Sequence, residues 1–595
     1  MKRPLLIILV GVIGIGGLLY CRDNPEILSF VAPLTRSDTT PNAVPPIAAT
    51  TLEPPSVTTT EPEAAPAPDM IPGATLLQGL GDYRFPISST KPDVQKWFDQ
   101  ALILTYGFNH DAAERSFLKA TEIDPDCAMC WWGAALVLGP HVNSGMDPAN
   151  NTNAWTRIQK AQTLASKATP REQAFIRALA ARYAENPPQN RKSLDLAYAA
   201  ATRKLVKEFP EDPDAATFHA EALMDLQPWD YYDKNLRPKG NTKEIVSTLE
   251  SVINFNPEHV GALHLYVHAV EASSNPAKGV EAADRLRTLI PASGHLVHMP
   301  AHIYTRVGRW HDAVLANQLA IKADEDYLAI CRANVKGLYP MGYVPHNYHF
   351  LWFAASMEGS STVAKAAAEK TSEKSSDPDV MRQPGNEGVQ HYWMTPWFDR
   401  VRFGRWSEIS GQANPAPDLL YVTAIWHYAE GMAAVQNYKI EGAMAHLVEL
   451  GKLAADPKMK KMMAWDRYPL SYAVEIAELS LRGDIAASNG NRAGAISALR
   501  KAVVIEDKIP YDEPPGWHSP TRQSLGMFLL EAGKASEAEI VYREDLKRNP
   551  ENGWSLFGLA QSLRAQRRIA EATDVEKRFD AAWKNADVKL TASRF

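Results

Sequence analysis

Residues 94–125 read VQKWFDQALILTYGFNHDAAERSFLKATEIDP, and the spacing of their aromatic and small residues decides the architecture. With Val94 as position 1, Trp97 stands at position 4, Ala101 at 8, Ala113 at 20, Phe117 at 24, Ala120 at 27 and Pro125 at 32. Small residues at the crossing point let two antiparallel helices approach closely, and the proline stops the second helix. A single unit of this kind cannot bury its apolar face, so the pattern predicts a stack of similar units.

These positions are those of the tetratricopeptide repeat (TPR), a 34-residue helix pair. Near the C-terminus the frame recurs from Ser519, with Gly526, Ala538, Tyr542 and Pro550, and from Gly553, with Ala560, Leu563 and Ala572. Between these ends it persists with insertions, including a helix pair expected near 391–413. The predicted fold is all-α, a TPR-type α-solenoid that winds about nine to eleven antiparallel helix pairs into a right-handed superhelix over residues 76–595. Histidine-rich repeats occupy about 258–410 and the C-terminal repeats 519–585.

A chain of 595 residues with 45% apolar and 22% charged content has the mass and composition to fold along most of its length. Its net charge of −6, with no lysine- or arginine-rich run, argues against a nucleic-acid partner. Lys2 and Arg3 before the apolar run 4–20 form the charge pattern of a signal anchor, residues 1–22, with its positive end cytoplasmic. Lipidation of Cys21 is the alternative, disfavoured by bulky Tyr20. Residues 23–75, rich in Pro, Thr and Ala, read as a flexible stalk. Together they predict an inner-membrane, single-pass protein with its bulk in the periplasm if the source is Gram-negative.

Beyond the generic repeat, the chain resembles a family of bacterial exported TPR proteins. The resemblance rests on Asp126-Cys127-Ala128-Met129-Cys130-Trp131-Trp132-Gly133, His298-Met299-Pro300-Ala301-His302-Ile303-Tyr304, Pro345-His346-Asn347-Tyr348-His349-Phe350-Leu351 and Tyr511-Asp512-Glu513-Pro514-Pro515-Gly516-Trp517. It spans roughly residue 91 to the C-terminus and implies the fold, with no established activity.

In such a repeat, positions 2, 5, 9 and 12 of the first helix share one stripe and face the concave groove. The repeat from Val260 places His264, His268 and Glu271 there. The repeat from Gly294 places His295, His298 and His302, the next places His346 and His349, and the one after it His391. Of the eight histidines between His264 and His349, only His311 falls off the stripe. Helices packed about 8–10 Å apart can bring such imidazoles to one ion, or two. Imidazole suits zinc, copper, iron or nickel over magnesium or calcium, and nothing in the sequence chooses among them. Glu271 reads as a ligand or, beside a metal with open positions, a general base. The same groove, without metal, would hold a peptide or a small anion. Pro300 interrupts the helix and sets His295 and His298 on a separate turn.

Cys127 and Cys130 form a CxxC followed by Trp131, which excludes c-type haem attachment and favours a disulfide in an exported protein. Cys331 has no evident partner. Trp132 is a candidate stacking surface in the groove, and Arg400 and Arg402, near His391, are candidate anion ligands. The proline-rich stretch 511–522 is too long for a repeat turn and is expected to pack on the preceding helix, with folding over the groove the alternative. No phosphate loop, dinucleotide fingerprint, HExxH or GxSxG motif stands in a supporting context, so no nucleotide is expected.

Overall fold

The computed structural model describes residues 74–331 and 338–595. The predicted anchor, Cys21 and the stalk through residue 73 lie outside the described residues. Among those that are described, no helix is long and apolar enough to cross a membrane.

The described residues form twenty-six α-helices, nearly all packed on their neighbours in sequence. The first ten are α1 Pro92–Tyr106, α2 His110–Ile123, α3 Ala128–Leu136, α4 Asn151–Leu164, α5 Pro170–Ala180, α6 Lys192–Glu208, α7 Pro213–Met224, α8 Thr242–Phe255, α9 Val260–Glu271 and α10 Val280–Leu289. The central group is α11 Gly294–His298, α12 Pro300–Val307, α13 Trp310–Cys331, α14 Val344–Glu358, α15 Ser361–Lys374, α16 Pro378–Arg382, α17 Gly388–Trp393 and α18 Thr395–Arg402. The last eight are α19 Leu420–Gln436, α20 Ile440–Ala455, α21 Ser471–Ser488, α22 Arg492–Glu506, α23 Thr521–Glu531, α24 Ala535–Arg548, α25 Gly553–Ala565 and α26 Ile569–Ala582.

The repeat chemistry acts as the spacing predicts. Ala101, Ala113 and Ala120 are fully buried at the α1–α2 crossing. Proline opens α1, where a missing N–H costs nothing. Asn109 caps α2 by accepting from the Ala112 amide. The pair expected at 391–413 is incomplete: α18 is followed only by a tight turn at Trp406–Glu408. Pro415 and Pro417 follow, and each removes a helical donor and disfavours helix at the preceding residue.

Two features convert the stack from an open groove into a filled body. At the N-terminal end, residues 74–90 thread along the first repeats. Phe85, fully buried, packs against Phe98, Trp132 and Phe175. The Tyr83 hydroxyl meets Asp214 and His259, and the Gly79 carbonyl accepts from the Ala292 amide at 3.0 Å.

At the other end, the C-terminal repeats return to the central helices. Trp310 Nε1 donates to the Pro550 carbonyl at 2.8 Å and Trp554 Nε1 to the Ser356 carbonyl at 2.9 Å. The Asp587 carboxylate caps α15 from a distance, accepting from the Ser361 and Thr362 amides at 2.7 and 2.9 Å.

Glycines mark both docking points. Gly308 ends α12 and Gly359 ends α14, each at φ 81°, a left-handed turn in which a side chain is strained. A Cβ on Gly308 would sit 2.8 Å from the Pro550 carbonyl, and one on Gly359 would sit 2.4 Å from the Trp583 ring. Gly411, at φ 87° with nothing within 4 Å, isolates the conformational part. Gly411→Ala is expected to cost about 1–2 kcal/mol, and Gly308→Ala about 1–3 kcal/mol more, through displacement of the C-terminal repeats. Urea unfolding of the two variants side by side measures the difference, and equal losses would refute the docking argument.

Candidate metal centre

Four helices deliver the histidines. His264, His268 and Glu271 lie on α9, His295 and His298 on α11, His302 on α12, and His346 and His349 on α14. Pro300 does not separate His298 from His302. Met299 keeps helical angles (φ −50°, ψ −36°), and its amide still donates to the His295 carbonyl at 3.0 Å. The helical path therefore continues, and the two rings stand one turn apart on one face. His264, His268, Glu271, His295, His298, His302 and His349 are at most 2% exposed.

Six imidazoles gather into two triads, His264–His268–His295 and His298–His302–His346, in each of which one ligand atom per residue lies within 4.8 Å of the others. Oxygen acceptors hold the outer nitrogens. His264 Nδ1 donates to the Tyr106 carbonyl at 2.6 Å, and His298 Nδ1 to Asn317 Oδ1 at 2.7 Å. His268 Nδ1 and His302 Nδ1 donate to the two oxygens of Glu271 at 2.9 and 2.6 Å. An oxygen that can only accept puts the proton on Nδ1 and leaves Nε2 as a lone pair.

Those lone pairs converge. His298 Nε2 lies 2.6 Å from His302 Nε2 and 3.1 Å from His346 Nε2. The His298 and His302 lone pairs, 2.6 Å apart, repel unless a cation lies between them. An ion about 2.0–2.1 Å from each nitrogen holds its ligand atoms about 3 Å apart. In the other triad, His264 Nε2, His268 Nε2 and both nitrogens of His295 are buried with no hydrogen-bond partner. The triads adjoin, with the His268 and His302 rings 5.8 Å apart.

Electrostatics favour neutral rings here. Burial, then the neighbouring imidazoles, push His264, His295 and His298 well below the usual imidazole range, and burial takes His346 down to about 3. Burial works to raise the Glu271 carboxyl. His302 and His268 outweigh it and hold Glu271 at about 2, ionised. With one imidazole N–H on each oxygen, Glu271 acts as a shared support behind both triads.

Several sequence-predicted residues go elsewhere. His349 leaves its stripe-mates, stacks on Trp352 at 5.2 Å and faces His391 at 5.5 Å. It shares with His391 a small pocket that is also lined by Tyr392, Trp465, Asp512 and Glu513. His391 Nδ1 lies 2.7 Å from the Tyr421 hydroxyl. Arg400 turns to the Trp397 ring and Glu408. Trp132 is core: Phe85, from the chain's own N-terminal segment, stacks on the face a ligand would need. Cys127 and Cys130 form the expected disulfide, and Cys331 is free and buried.

The 511–522 stretch does not simply lie on the helix before it. It enters the groove and covers the histidines. The Glu513 carboxylate lies against His302 Nδ1, and the Tyr511 hydroxyl lies 3.4 Å from Glu271. Sequence reasoning missed Glu513, because a loop has no period to read. It also missed Asn317, which sits on the second helix of its pair, and the Tyr106 carbonyl, whose backbone identity carries no signal.

No family model matches the chain, and no curated protein matches it. Similar solved structures include a human IFIT1 dimer with m7Gppp-AAAA (14% identity, 83% of this chain and 91% of that one, TM-score 0.31). Another is the APC/C hetero-tetramer Cut9-Hcn1 (14% identity, 84% and 95%, TM-score 0.27), and a third is yeast Tom70 (12% identity, 83% and 91%, TM-score 0.24). Scores this low carry no argument about shape or function.

Rings with lowered pKa values stay neutral below the ordinary imidazole value of about 6.5. Nitrogen-15 spectra of histidine-labelled, metal-stripped protein at a pH of about 6 should show His264 and His298 neutral and protonated at Nδ1. Imidazolium signals for them would contradict this geometry.

Proposed function

We propose that this chain binds transition-metal ions inside its helical array, at two adjoining three-imidazole sites formed by His264, His268 and His295 and by His298, His302 and His346. The observation that carries the proposal is the convergence of buried ring nitrogens, among them the Nε2 lone pairs of His264, His268, His298 and His302, whose Nδ1 atoms are committed to oxygen acceptors. Metal-ligating histidines are oriented in this way, by a carboxylate or carbonyl on the other ring nitrogen. The donors fit zinc, copper, iron or nickel.

Three protein ligands per ion leave room for water or a substrate, so a bound metal would supply Lewis-acid or redox chemistry. The cavity beside His349 reaches the second triad through Tyr392, whose hydroxyl lies 3.3 Å from His346 Nδ1, and through Glu513. It gives a small molecule an approach. The metal-free alternative, a groove that grips a partner's peptide, has less support. An adaptor needs an open inner face, and here Phe85 and residues 511–514 fill it. Export to an oxidising compartment is part of the same reading, supported by Lys2 and Arg3 ahead of the apolar run 4–20 and by the Cys127–Cys130 disulfide.

Elemental analysis of the protein purified without a polyhistidine tag, before and after reconstitution, is expected to find between one and two equivalents of a transition metal. Metal far below one equivalent in both states would sink the proposal. His298→Ala should remove a ligand from the crowded triad and lower the stoichiometry. Glu271→Gln keeps the shape and weakens both supports, so affinity should fall about 10–100-fold with circular dichroism unchanged. Unaltered affinity in Glu271→Gln would show that the carboxylate is not coupled to the metal.

A further inference from the structure

A second buried site lies apart from the histidine triads, between α18, α19 and the turn leading into α23. Its centre is Arg402, in the last turn of α18, only 3% exposed. A buried guanidinium ordinarily pairs with a carboxylate, because an uncompensated charge in the interior costs several kcal/mol. Arg402 has no such direct partner. Its Nη1 donates to Ser519 Oγ and Gln523 Oε1, both at 2.7 Å, its Nη2 reaches only the Met357 sulfur at 3.8 Å, and its Nε has no partner.

Asp545, whose charge acts on Arg402, is linked to it through Gln523, whose Nε2 donates to Asp545 at 3.2 Å. Asp545 also accepts from Asn552 and Ser555, so its charge is shared. Burial pulls Arg402 down to about 9 despite it. Compensation is incomplete.

Beside Arg402 sits His518, 3% exposed, with neither ring nitrogen hydrogen-bonded. Its ring is stacked on Phe398 at 4.7 Å. Burial, then the nearby guanidinium, keep the imidazole neutral, so it can donate one hydrogen bond and accept another. Both side chains line a small pocket, partly open to solvent, whose walls include Trp406, Tyr428, Met432 and Trp517. The other cation there, Arg594, is already held by Asp484, with Nη1 at 3.0 Å. The cavity therefore offers one cation with no carboxylate partner, Arg402, stacked on Trp554 at 3.9 Å, together with unused imidazole nitrogens and a wall that mixes aromatic rings with Ser480, Ser519, Thr521 and Ser524.

We infer that this cavity binds an organic monocarboxylate, its carboxyl group taken by Arg402 with His518 and Ser519, and its apolar body held among the rings. A carboxylate matches the planar fork of the guanidinium, and a single charge matches a single cation with no carboxylate partner. A phosphate dianion would be under-compensated and would leave the aromatic walls unused. The inference does not depend on the metal reading, since none of these residues belongs to the triads.

Calorimetry and thermal unfolding of the full chain, with benzoate and inorganic phosphate as probes, test it. Benzoate is expected to bind in the sub-millimolar range and raise the unfolding temperature. Arg402→Met should weaken benzoate binding at least about tenfold, the worth of about 1.4 kcal/mol, without lowering the stability of the unliganded protein, because an uncompensated buried charge has been removed. His518→Phe, which preserves the stacking on Phe398, should weaken benzoate severalfold in a folded protein. It serves as the reading if Arg402→Met fails to fold. No benzoate binding by the native chain would overturn the site, as would unchanged affinity in the variants. Phosphate binding more tightly than benzoate would overturn the ligand class.

Discussion

Glu271 is fully buried and ionised, and its two oxygens take the Nδ1 protons of His268 on α9 and His302 on α12. An isolated carboxylate in such a place would cost far more than a domain can spare. The two imidazole N–H groups make its burial tolerable, and the carboxylate in turn dictates which nitrogen of each ring is left bare. The tautomers of one ring in each triad, the facing of α9 toward α12, and the docking of Tyr511 onto the site all follow from satisfying this one charge.

The same constraint explains why the array is filled. A row of imidazoles without hydrogen-bond partners could remain wet in an open groove at little cost. Here Phe108 packs on His264, His268 and His295 and the 511–514 loop on His302 and Glu271, and water-competed interactions become low-dielectric ones. Burial then removes the charged form of the rings and keeps lone pairs available. Gly308 and Gly359 let the C-terminal repeats come close enough to seat that loop. Backbone permissiveness at two helix ends is thereby tied to the chemistry of a site carried on neighbouring turns.

Helix-pair architecture was legible in residues 94–125 because the crossing of two helices demands small side chains at fixed intervals, a local steric requirement. The row His264, His268, Glu271, His295, His298, His302 was legible for the same reason, since spacings of three and four residues select one helical face. Phase fails past the helix. His349 shares the stripe with His346 yet points to another cavity, where Trp352, His391 and Tyr392 surround its ring. Trp132 occupies a groove position and is core, because a segment outside the repeat covers it. The nearness of Arg402 to His391 makes it an anion candidate in sequence, but its lack of a direct carboxylate partner is a property of its tertiary surroundings.

The sequence by itself determined an all-helical repeat array, the helix face that carries the histidines, and the candidate disulfide, all set by spacings of a few residues along one chain. Tertiary structure alone decided which imidazoles converge, which nitrogen each presents, that Glu271 stands behind two triads, and that the groove is closed by its own chain. Those outcomes depend on contacts between residues that, as with Tyr511 and Glu271, lie 240 apart, and side-chain periodicity holds no information about such pairs.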